Sequence, residues 1–367
     1  MDKRYDFLIV GAGLFGATFA CEAAKKGKRC LVMEKRSHVG GNVYTKKVEG
    51  IDVHVYGPHV FHTDDERIWN YVNSFTRFIP FVNSPLAKVG DKYYHLPFNM
   101  NTFKEFWGVE TPEEARAKIE SEKADIPFPK NLEEQAISTV GKDFFQKFIK
   151  GYTEKQWGRK CSELPASILK RIPLRFTYDN NYYDDPYQGI PENGYTELIE
   201  KMLEGADVSL NTDYRTFVAQ NGQVAEKTIF TAPIDYYFSE KKGKLQYRTV
   251  RFETEILDEK TFQPAAVVNY PSLDEPFTRV IEHKRFNYKN VDKTVISREY
   301  SEEWDETSEP YYPINDERNL KLYEEYARLA KDETNVYFCG RLGSYKYADM
   351  DDTVKDALRL SSDLLFV

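Results

Sequence analysis

Hydrophobic and polar positions follow several distinct rhythms along the chain, and the first is a nearly continuous apolar run, Tyr5–Val10 (YDFLIV). Such a run marks a strand buried on both faces, as in a parallel sheet. Gly11, Gly13 and Gly16 follow, then an Ala-rich helix to about Lys26, stopped by Gly27. Arg29–Met33 (RCLVM) reads as a second strand ending at Glu34, which completes one βαβ unit. From about Tyr71 to Gly158 apolar residues fall at three- and four-residue steps, in Phe103–Trp107, Pro112–Ser121, Leu132–Val140 and Asp143–Gly151. That spacing predicts a mostly helical insertion. Leu164–Tyr187, rich in Pro, Arg, Asn, Asp and Tyr, reads as a functional loop. Val208–Leu210, Gln223–Phe230, Lys244–Glu255, Ala265–Asn269 and Phe277–Glu282 alternate or are β-branched and aromatic, which predicts an antiparallel sheet. Asn319–Lys331 is an amphipathic helix. Val336–Cys339 is a short buried strand before Gly340 and Arg341, and a terminal helix begins near Asp351.

Composition narrows the function. A chain of 367 residues exceeds the usual reach of one hydrophobic core, so two or three lobes are expected. The balance of 51 Lys+Arg against 59 Asp+Glu leaves −8, which disfavours nucleic acid or an anionic membrane as a general partner. No apolar run approaches the ~18 residues of a membrane span. The N-terminal MDKRYDFLIVGAG breaks at glycine before a signal-peptide core can form. Four scattered cysteines form neither a CxxC pair nor a disulfide framework, and with the missing signal they point to the cytoplasm. Aromatic residues reach 15%, which suits a ligand with planar or sugar faces.

The Gly11-x-Gly13-x-x-Gly16 spacing has the context that makes it specific: a strand before it, a helix opening inside it, and Glu34 closing the next strand. Gly11 permits a tight turn, Gly13 lets backbone approach a pyrophosphate, and Gly16 allows close helix–strand packing. The helix N-terminus faces phosphate charge, and Glu34 can accept from a ribose hydroxyl. Gly40, Gly41 and Asn42 follow the second strand, and the chain ends in strand–Gly–Arg–loop–helix. Two phosphate-facing elements at opposite ends of the sequence suit a long cofactor crossing the sheet, so FAD is favoured over NAD.

Further motifs carry a resemblance. GAGLFGA (11–17), EKRSHVGGN (34–42), YGPHVFHT (56–63), YTEKQWG (152–158), LPASILKRIPLRFTYDNNYYDD (164–185), YQGIPENGY (187–195), TAPID (231–235), NYPSLDEPFTRVIEHK (269–284), YYPI (311–314) and CGRLGSYKYADMD (339–351) occur in this order. Together they resemble the UDP-galactopyranose mutases, flavoenzymes that interconvert UDP-galactopyranose and UDP-galactofuranose. With no large insertion, the chain is similar to the compact bacterial form. The resemblance implies an α/β fold in three parts. A discontinuous Rossmann-like FAD-binding domain would take 1–75, 190–240 and 330–367, and a helical domain with much of a homodimer contact would take 76–160. An antiparallel-sheet substrate domain would take 161–189 and 241–329, with a mobile lid near 164–178.

The same resemblance assigns residues. Arg171 and Arg279 would hold the UDP diphosphate, with Arg175 as a rival for Arg171; a planar guanidinium fork suits phosphate oxygens. Tyr152, Thr153 and Trp157 would surround uracil and substrate. Phe148 would extend that wall or belong to the core. Tyr182, Tyr312 and Tyr347 would meet the diphosphate or sugar, and Asn83 and Asn269 the galactose or the flavin edge. His59 would lie near the flavin ring, where it could tune flavin charge or protonation; His54 and His62 are read as structural, and no metal site is expected. Leu14, Phe15, Lys35, Gly41, Asn42 and Val60 join Gly11, Gly13, Gly16 and Glu34 as cofactor contacts, with Phe217 toward the adenine. Arg341, Asp349, Met350, Asp351 and Thr353 would form the second FAD element, where a helix N-terminus offsets charge on reduced flavin.

The implied reaction needs reduced FAD without net redox change: flavin N5 attacks the anomeric carbon and displaces UDP, and the sugar opens and recloses before UDP returns. It would supply galactofuranose for cell-surface polysaccharides. A flavin oxidase or dehydrogenase of the amine-oxidase type would share the FAD elements, and a catalytically silent nucleotide-sugar binder is the third reading.

Overall fold

In a computed structural model the fold is described for residues 4–169 and 173–365. Tyr5–Val10 lies at the centre of a five-stranded parallel sheet, in the order Asp207–Ser209, Cys30–Met33, Tyr5–Val10, Ala225–Phe230, Val336–Phe338. The helix Leu14–Lys25 covers one face together with Tyr195–Met202 and the C-terminal Met350–Leu365, burying Phe19, Ala20, Leu198, Ile199 and Val354. Tyr214, Phe217, Tyr237 and Phe338 pack on the other. Coverage of both faces is why Phe7–Val10 and Cys30–Met33 are continuous apolar runs.

Two runs that read as antiparallel strands belong to this parallel sheet. Val208–Leu210 supplies Asp207–Ser209, and Gln223–Phe230 supplies Ala225–Phe230, which pairs in parallel with Tyr5–Val10. β-Branched and aromatic composition announces a strand but not the direction of its neighbour, which depends on long-range packing.

A seven-stranded sheet runs Tyr312–Pro313, Tyr247–Leu257, Thr294–Glu303, Arg279–Glu282, Val267–Asn269, Leu86–Val89, Lys92–His95. All its pairs are antiparallel except Val267–Asn269 with Leu86–Val89. The register sets Asn269 opposite Arg279 and Arg279 opposite Glu299, a polar row across three strands. Directly opposed residues project on the same face, so these side chains are neighbours by construction.

The helical region opens later than its periodicity suggested. After the helix Glu66–Asn73, the chain forms strands Phe78–Pro80, Leu86–Val89 and Lys92–His95 before the helices Met100–Trp107, Pro112–Glu122 and Leu132–Val140. Each of those three helices has a side-chain N-cap: Asn99, Thr111 in a capping box with Glu114, and Asn131. Their apolar stripes meet over Phe103, Leu132, Phe144, Phe145 and Phe148. A π-helical turn, Phe145–Ile149, precedes the helix Lys150–Trp157. Such wide turns carry an extra residue and shift the phase of the next helical turns, often at functional sites. No described helix is long and apolar enough to cross a membrane.

Candidate active site

The first strand turns into its helix through backbone that only glycine accommodates. Gly11 has φ +107°, and a Cβ there would stand 2.2 Å from Thr231 Oγ1; one at Gly16 would stand 2.1 Å from the Gly11 carbonyl oxygen. Gly13 faces Gly41 across a narrow gap, and a Cβ on Gly41 would approach Gly13 Cα to 3.0 Å. The Gly40 N–H donates to the Ala12 carbonyl at 2.9 Å, which joins the two glycine loops. The helix Leu14–Lys25 starts at Gly13 with no side-chain cap and no acidic residue in its first turn. Its N–H groups and positive dipole end are left for an external anion. Leu14 and Phe15 are buried behind that turn.

Glu34 is buried, and its carboxylate accepts from the Ala12 N–H and the Arg36 N–H, each at 3.0 Å. Both bonds orient it at the mouth of the loop. Phe217 packs with the cluster that includes Leu31 and Met33, on the strand leading to Glu34. Lys35 is turned to Glu309 at 2.8 Å.

Sequence reasoning passed over Arg36, and the structure makes it prominent. Its Nη2 donates to Asn42 Oδ1 at 3.1 Å and Glu309 Oε2 at 2.9 Å, and the guanidinium lies 4.4 Å from the Tyr56 ring centroid. Its Nε and Nη1 are buried without a partner. Buried unpartnered donors on a cation are costly, and a ligand anion would answer them. The unpartnered donors, the bare helix end and the facing glycines together fit the pyrophosphate of a dinucleotide such as FAD.

The second element closes the opposite side. Arg341 donates to the Tyr311 carbonyl at 3.3 Å and the Ala348 carbonyl at 3.1 Å, and lies over the Tyr347 ring at 4.6 Å. The Asp349 carbonyl accepts from Thr353 N–H and Oγ1, fixing the start of the helix Met350–Leu365. Asp351 accepts from Thr63 at 3.0 Å.

Between these elements the chain gathers a cationic, phenolic cluster. Arg279 Nε donates to Glu299 Oε2 at 2.5 Å, and Thr278 Oγ1 steadies the other carboxylate oxygen at 3.0 Å. Burial alone would lower the Arg279 pKa, but Glu299 and the phenols of Tyr152 and Tyr312 raise it overall, so the charge is permanent. Burial, only partly opposed by Arg279, raises the phenols of Tyr152 and Tyr312, which stay protonated as hydroxyl donors. Tyr182 is within electrostatic reach of Tyr152, and its N–H donates to the Asn83 carbonyl at 2.8 Å. Tyr347 lies beside Tyr312, with ring centroids 6.1 Å apart. Asn269 sits opposite Arg279 in the sheet register.

His59 joins the same cluster. Burial, against the opposing hydrogen bond to Gly57, draws it down to about 4, and Arg341 and Arg279 push the same way. At neutral pH it is therefore a neutral imidazole. Its Nδ1 contacts the Gly57 carbonyl at 2.7 Å; that bond assigns the proton to Nδ1 and leaves Nε2 as acceptor. Val60 is buried next to it.

Some expected members stand elsewhere or behave differently. Phe148 is 5% exposed and ringed by Tyr94, Phe98, Phe106 and Phe144, so the structure places it in the helical core rather than on an open wall. Arg175 is occupied by the Asn181 and Tyr182 carbonyls and by Asp184 at 2.8 Å, which ties it to its own loop. Arg171 lies outside the described residues. Glu299 and Tyr183 were not anticipated: Tyr183 stacks on His62 at 3.7 Å and lies within electrostatic reach of Arg279. Their signals were a β-branched run before Glu299 (TVIS) and the second of two adjacent tyrosines. Thr153 and Trp157 follow Tyr152 on the same helix, and Trp157 also lines a cavity of about 1010 Å³ shared with Tyr247, Arg248 and Trp304. That cavity contains none of Arg279, Tyr152, Tyr312 or His59, so its size does not make it the reactive centre.

The chain is similar to known proteins in both sequence and fold. A sequence family described as UDP-galactopyranose mutase matches residues 147–347, and an NAD(P)-binding Rossmann-like domain matches residues 9–75. A probable UDP-galactopyranose mutase of Klebsiella pneumoniae is 42% identical over 98% of this chain and 94% of its own length. A dTDP-fucopyranose mutase of Escherichia coli is 38% identical over 96% of each. A crystal structure of reduced UDP-galactopyranose mutase superposes with a TM-score of 0.76 at 16% identity, covering 99% of this chain and 94% of the other.

Proposed function

Because the chain belongs to the UDP-galactopyranose mutase family, a family of isomerases, we propose that it interconverts UDP-galactopyranose and UDP-galactofuranose with reduced FAD bound. The observation that carries this reading is Arg279, pinned by Glu299 among Tyr152, Tyr182 and Tyr312 beside the neutral His59. Bound and reduced, FAD would supply the electron-rich nitrogen that carries the hexose while UDP is detached. The glycine loops, Glu34, Arg36 and Asn42 would hold its adenosine and pyrophosphate. Arg341 and the start of Met350–Leu365 would face the flavin, with Lys35, Val60 and Phe217 in supporting contacts.

The remaining work is positional. Glu299 takes Arg279 Nε, so the terminal nitrogens of the fork, within hydrogen-bonding reach of the Tyr312 hydroxyl, would turn toward diphosphate oxygens. Tyr182, Tyr312 and Tyr347 would add hydroxyl donors, and Arg171, by resemblance, a second guanidinium from the lid. Holding departed UDP next to the sugar turns its return into an intramolecular event. Tyr152 and Trp157 would contact uracil, with Thr153 beside them and Phe148 backing them from the core. Asn83 and Asn269 would contact the sugar or flavin edge. His59, uncharged, would present an acceptor rather than a second cation near the flavin. A three-part division at 1–75, 190–240 and 330–367, at 76–160, and at 161–189 and 241–329, with the strands Leu86–Val89 and Lys92–His95 lent by the second part to the sheet of the third, a homodimer, a cytoplasmic location and a role in cell-surface galactofuranose complete the proposal.

Incubation with UDP-galactose, with and without dithionite, followed by chromatography of the UDP-sugar pool, tests this reading. A UDP-sugar isomer formed only under reducing conditions is the expected result. Stoichiometric oxygen consumption would instead indicate an oxidase, and flavin-bound protein that leaves the pool unchanged a binder. Given the relative named for dTDP-fucopyranose, that sugar nucleotide belongs in a parallel incubation, where slower conversion is expected.

A further inference from the structure

Lys155 lies in the YTEKQWG segment between Tyr152 and Trp157, and the proposed chemistry leaves it without a task. Its Nζ donates to four backbone carbonyls of one loop: Tyr270 and Ser272 at 2.6 Å, Phe277 at 2.8 Å and Glu275 at 2.9 Å. An ammonium has three N–H groups, so at least one is shared among these acceptors. The loop is not an arbitrary one. It joins Val267–Asn269 to Arg279–Glu282, and its neck is closed by the Tyr270 N–H to the Thr278 carbonyl at 2.9 Å. It therefore connects Asn269 directly to Arg279.

One helical turn before Lys155, Gly151 meets the same loop. A Cβ on Gly151 would stand 2.1 Å from the Pro271 carbonyl oxygen. Residues four apart share a helix face, so Gly151 and Lys155 form one docking edge, the first by close backbone contact and the second by charge. The far end of the helix is fastened independently, through the Gln156 carbonyl to Arg248 Nε at 3.1 Å and Ser301 Oγ at 2.6 Å.

We propose that Lys155 is a positioning residue for the nucleotide: its ammonium gathers the Asn269–Arg279 loop onto the helix of Tyr152 and Trp157 and so sets the distance between diphosphate grip and base wall. A UDP group reaches both at once, so an error in that distance weakens the whole nucleotide even when each contact residue is intact. A neutral side chain cannot replace the cation, because carbonyl oxygens clustered this closely repel one another without it. Burial draws Lys155 down to about 8, which is the cost the carbonyl ring must offset.

This inference rests on reading the cleft as a UDP-sugar site, and the test separates the two. UDP titration by calorimetry, flavin content and reduced steady-state kinetics are compared for flavin-loaded wild type, Lys155→Met and Lys155→Gln. Lys155→Met is expected to raise both the UDP dissociation constant and KM by about tenfold, with kcat within about threefold and flavin content unchanged. Lys155→Gln, with two N–H donors and no charge, is expected to fall between. Wild type that does not bind UDP overturns the nucleotide reading itself. Wild type that binds UDP, with variants binding within about twofold of it, overturns the role of Lys155. Proportional loss of flavin, kcat and affinity also overturns it, since that marks general loosening. Should Lys155→Met fail to fold, Lys155→Gln decides by the same criteria.

Discussion

Arg279 has two sides, and each needs the other. Glu299 holds Nε and is itself steadied by Thr278, so removing the guanidinium leaves a carboxylate that is 5% exposed without its cation. Arg279→Ala is expected to lower kcat/KM by about a hundredfold or more while flavin absorbance per protein stays constant. Near wild-type turnover would remove Arg279 from the mechanism. Arg36 has two buried unpartnered nitrogens, and in the proposed reading these would face the cofactor rather than the substrate. Arg36→Met should weaken flavin retention by about tenfold or more, read as loss of the yellow cofactor on dilution and gel filtration. Full retention would mean those nitrogens face no anion. The contrast is instructive: Arg279 could be singled out from its motif, whereas Arg36 is one cation in a charged stretch until burial shows that two of its donors lack partners.

At the scale of elements, the strand–glycine–helix opening was legible because its chemistry is local. The G-x-G-x-x-G spacing alone predicted a tight turn at Gly11 and close packing at Gly16, and the structure supplies the positive φ and the contacts that forbid a Cβ. The helices from Pro112 onward were legible for the same reason, through three-to-four spacing, and the structure adds their caps at Thr111 and Asn131. The sheets were less so. Thr294–Glu303, which delivers Glu299, is a strand whose partners lie on both sides, and no neighbour in sequence announces them. Phe148 shows the same limit: an aromatic one turn before Tyr152 could face substrate or core, and only packing chose. Phe148→Ala should cost about 3–5 kcal/mol of stability. The measurement is the urea midpoint of flavin-loaded protein, and a change below ~1 kcal/mol would return Phe148 to the cleft wall.

For the molecule as a whole, buried imidazoles link stability to pH. His59 is drawn down to about 4 and His283 to about 3, each by burial first, and His54 is lowered well below its ordinary value of 6.5. The folded state holds them neutral, so below pH 6.5 the unfolded chain binds more protons. Stability is thus complete above about pH 6.5 and declines as pH falls toward 4, by on the order of 3 kcal/mol for His59 alone. Urea midpoints should stay level from pH 7.5 to about 6.5 and then fall down to about pH 5; a midpoint constant over the lower range would contradict neutral burial.

Local physics settled much of this protein in advance: where the dinucleotide loop forms, which segments are helical, and which motifs carry phosphate chemistry, because turns, caps and periodicity act over a few residues. Tertiary structure decided how His59, Tyr152, Tyr182, Arg279, Glu299, Tyr312 and Arg341 come within electrostatic reach of one another, with Glu299 pinning Arg279. It also decided that two strands join the parallel sheet, and that one lysine holds the loop between two site residues. Those outcomes depend on which distant surfaces exclude water together, and no window of sequence contains that information.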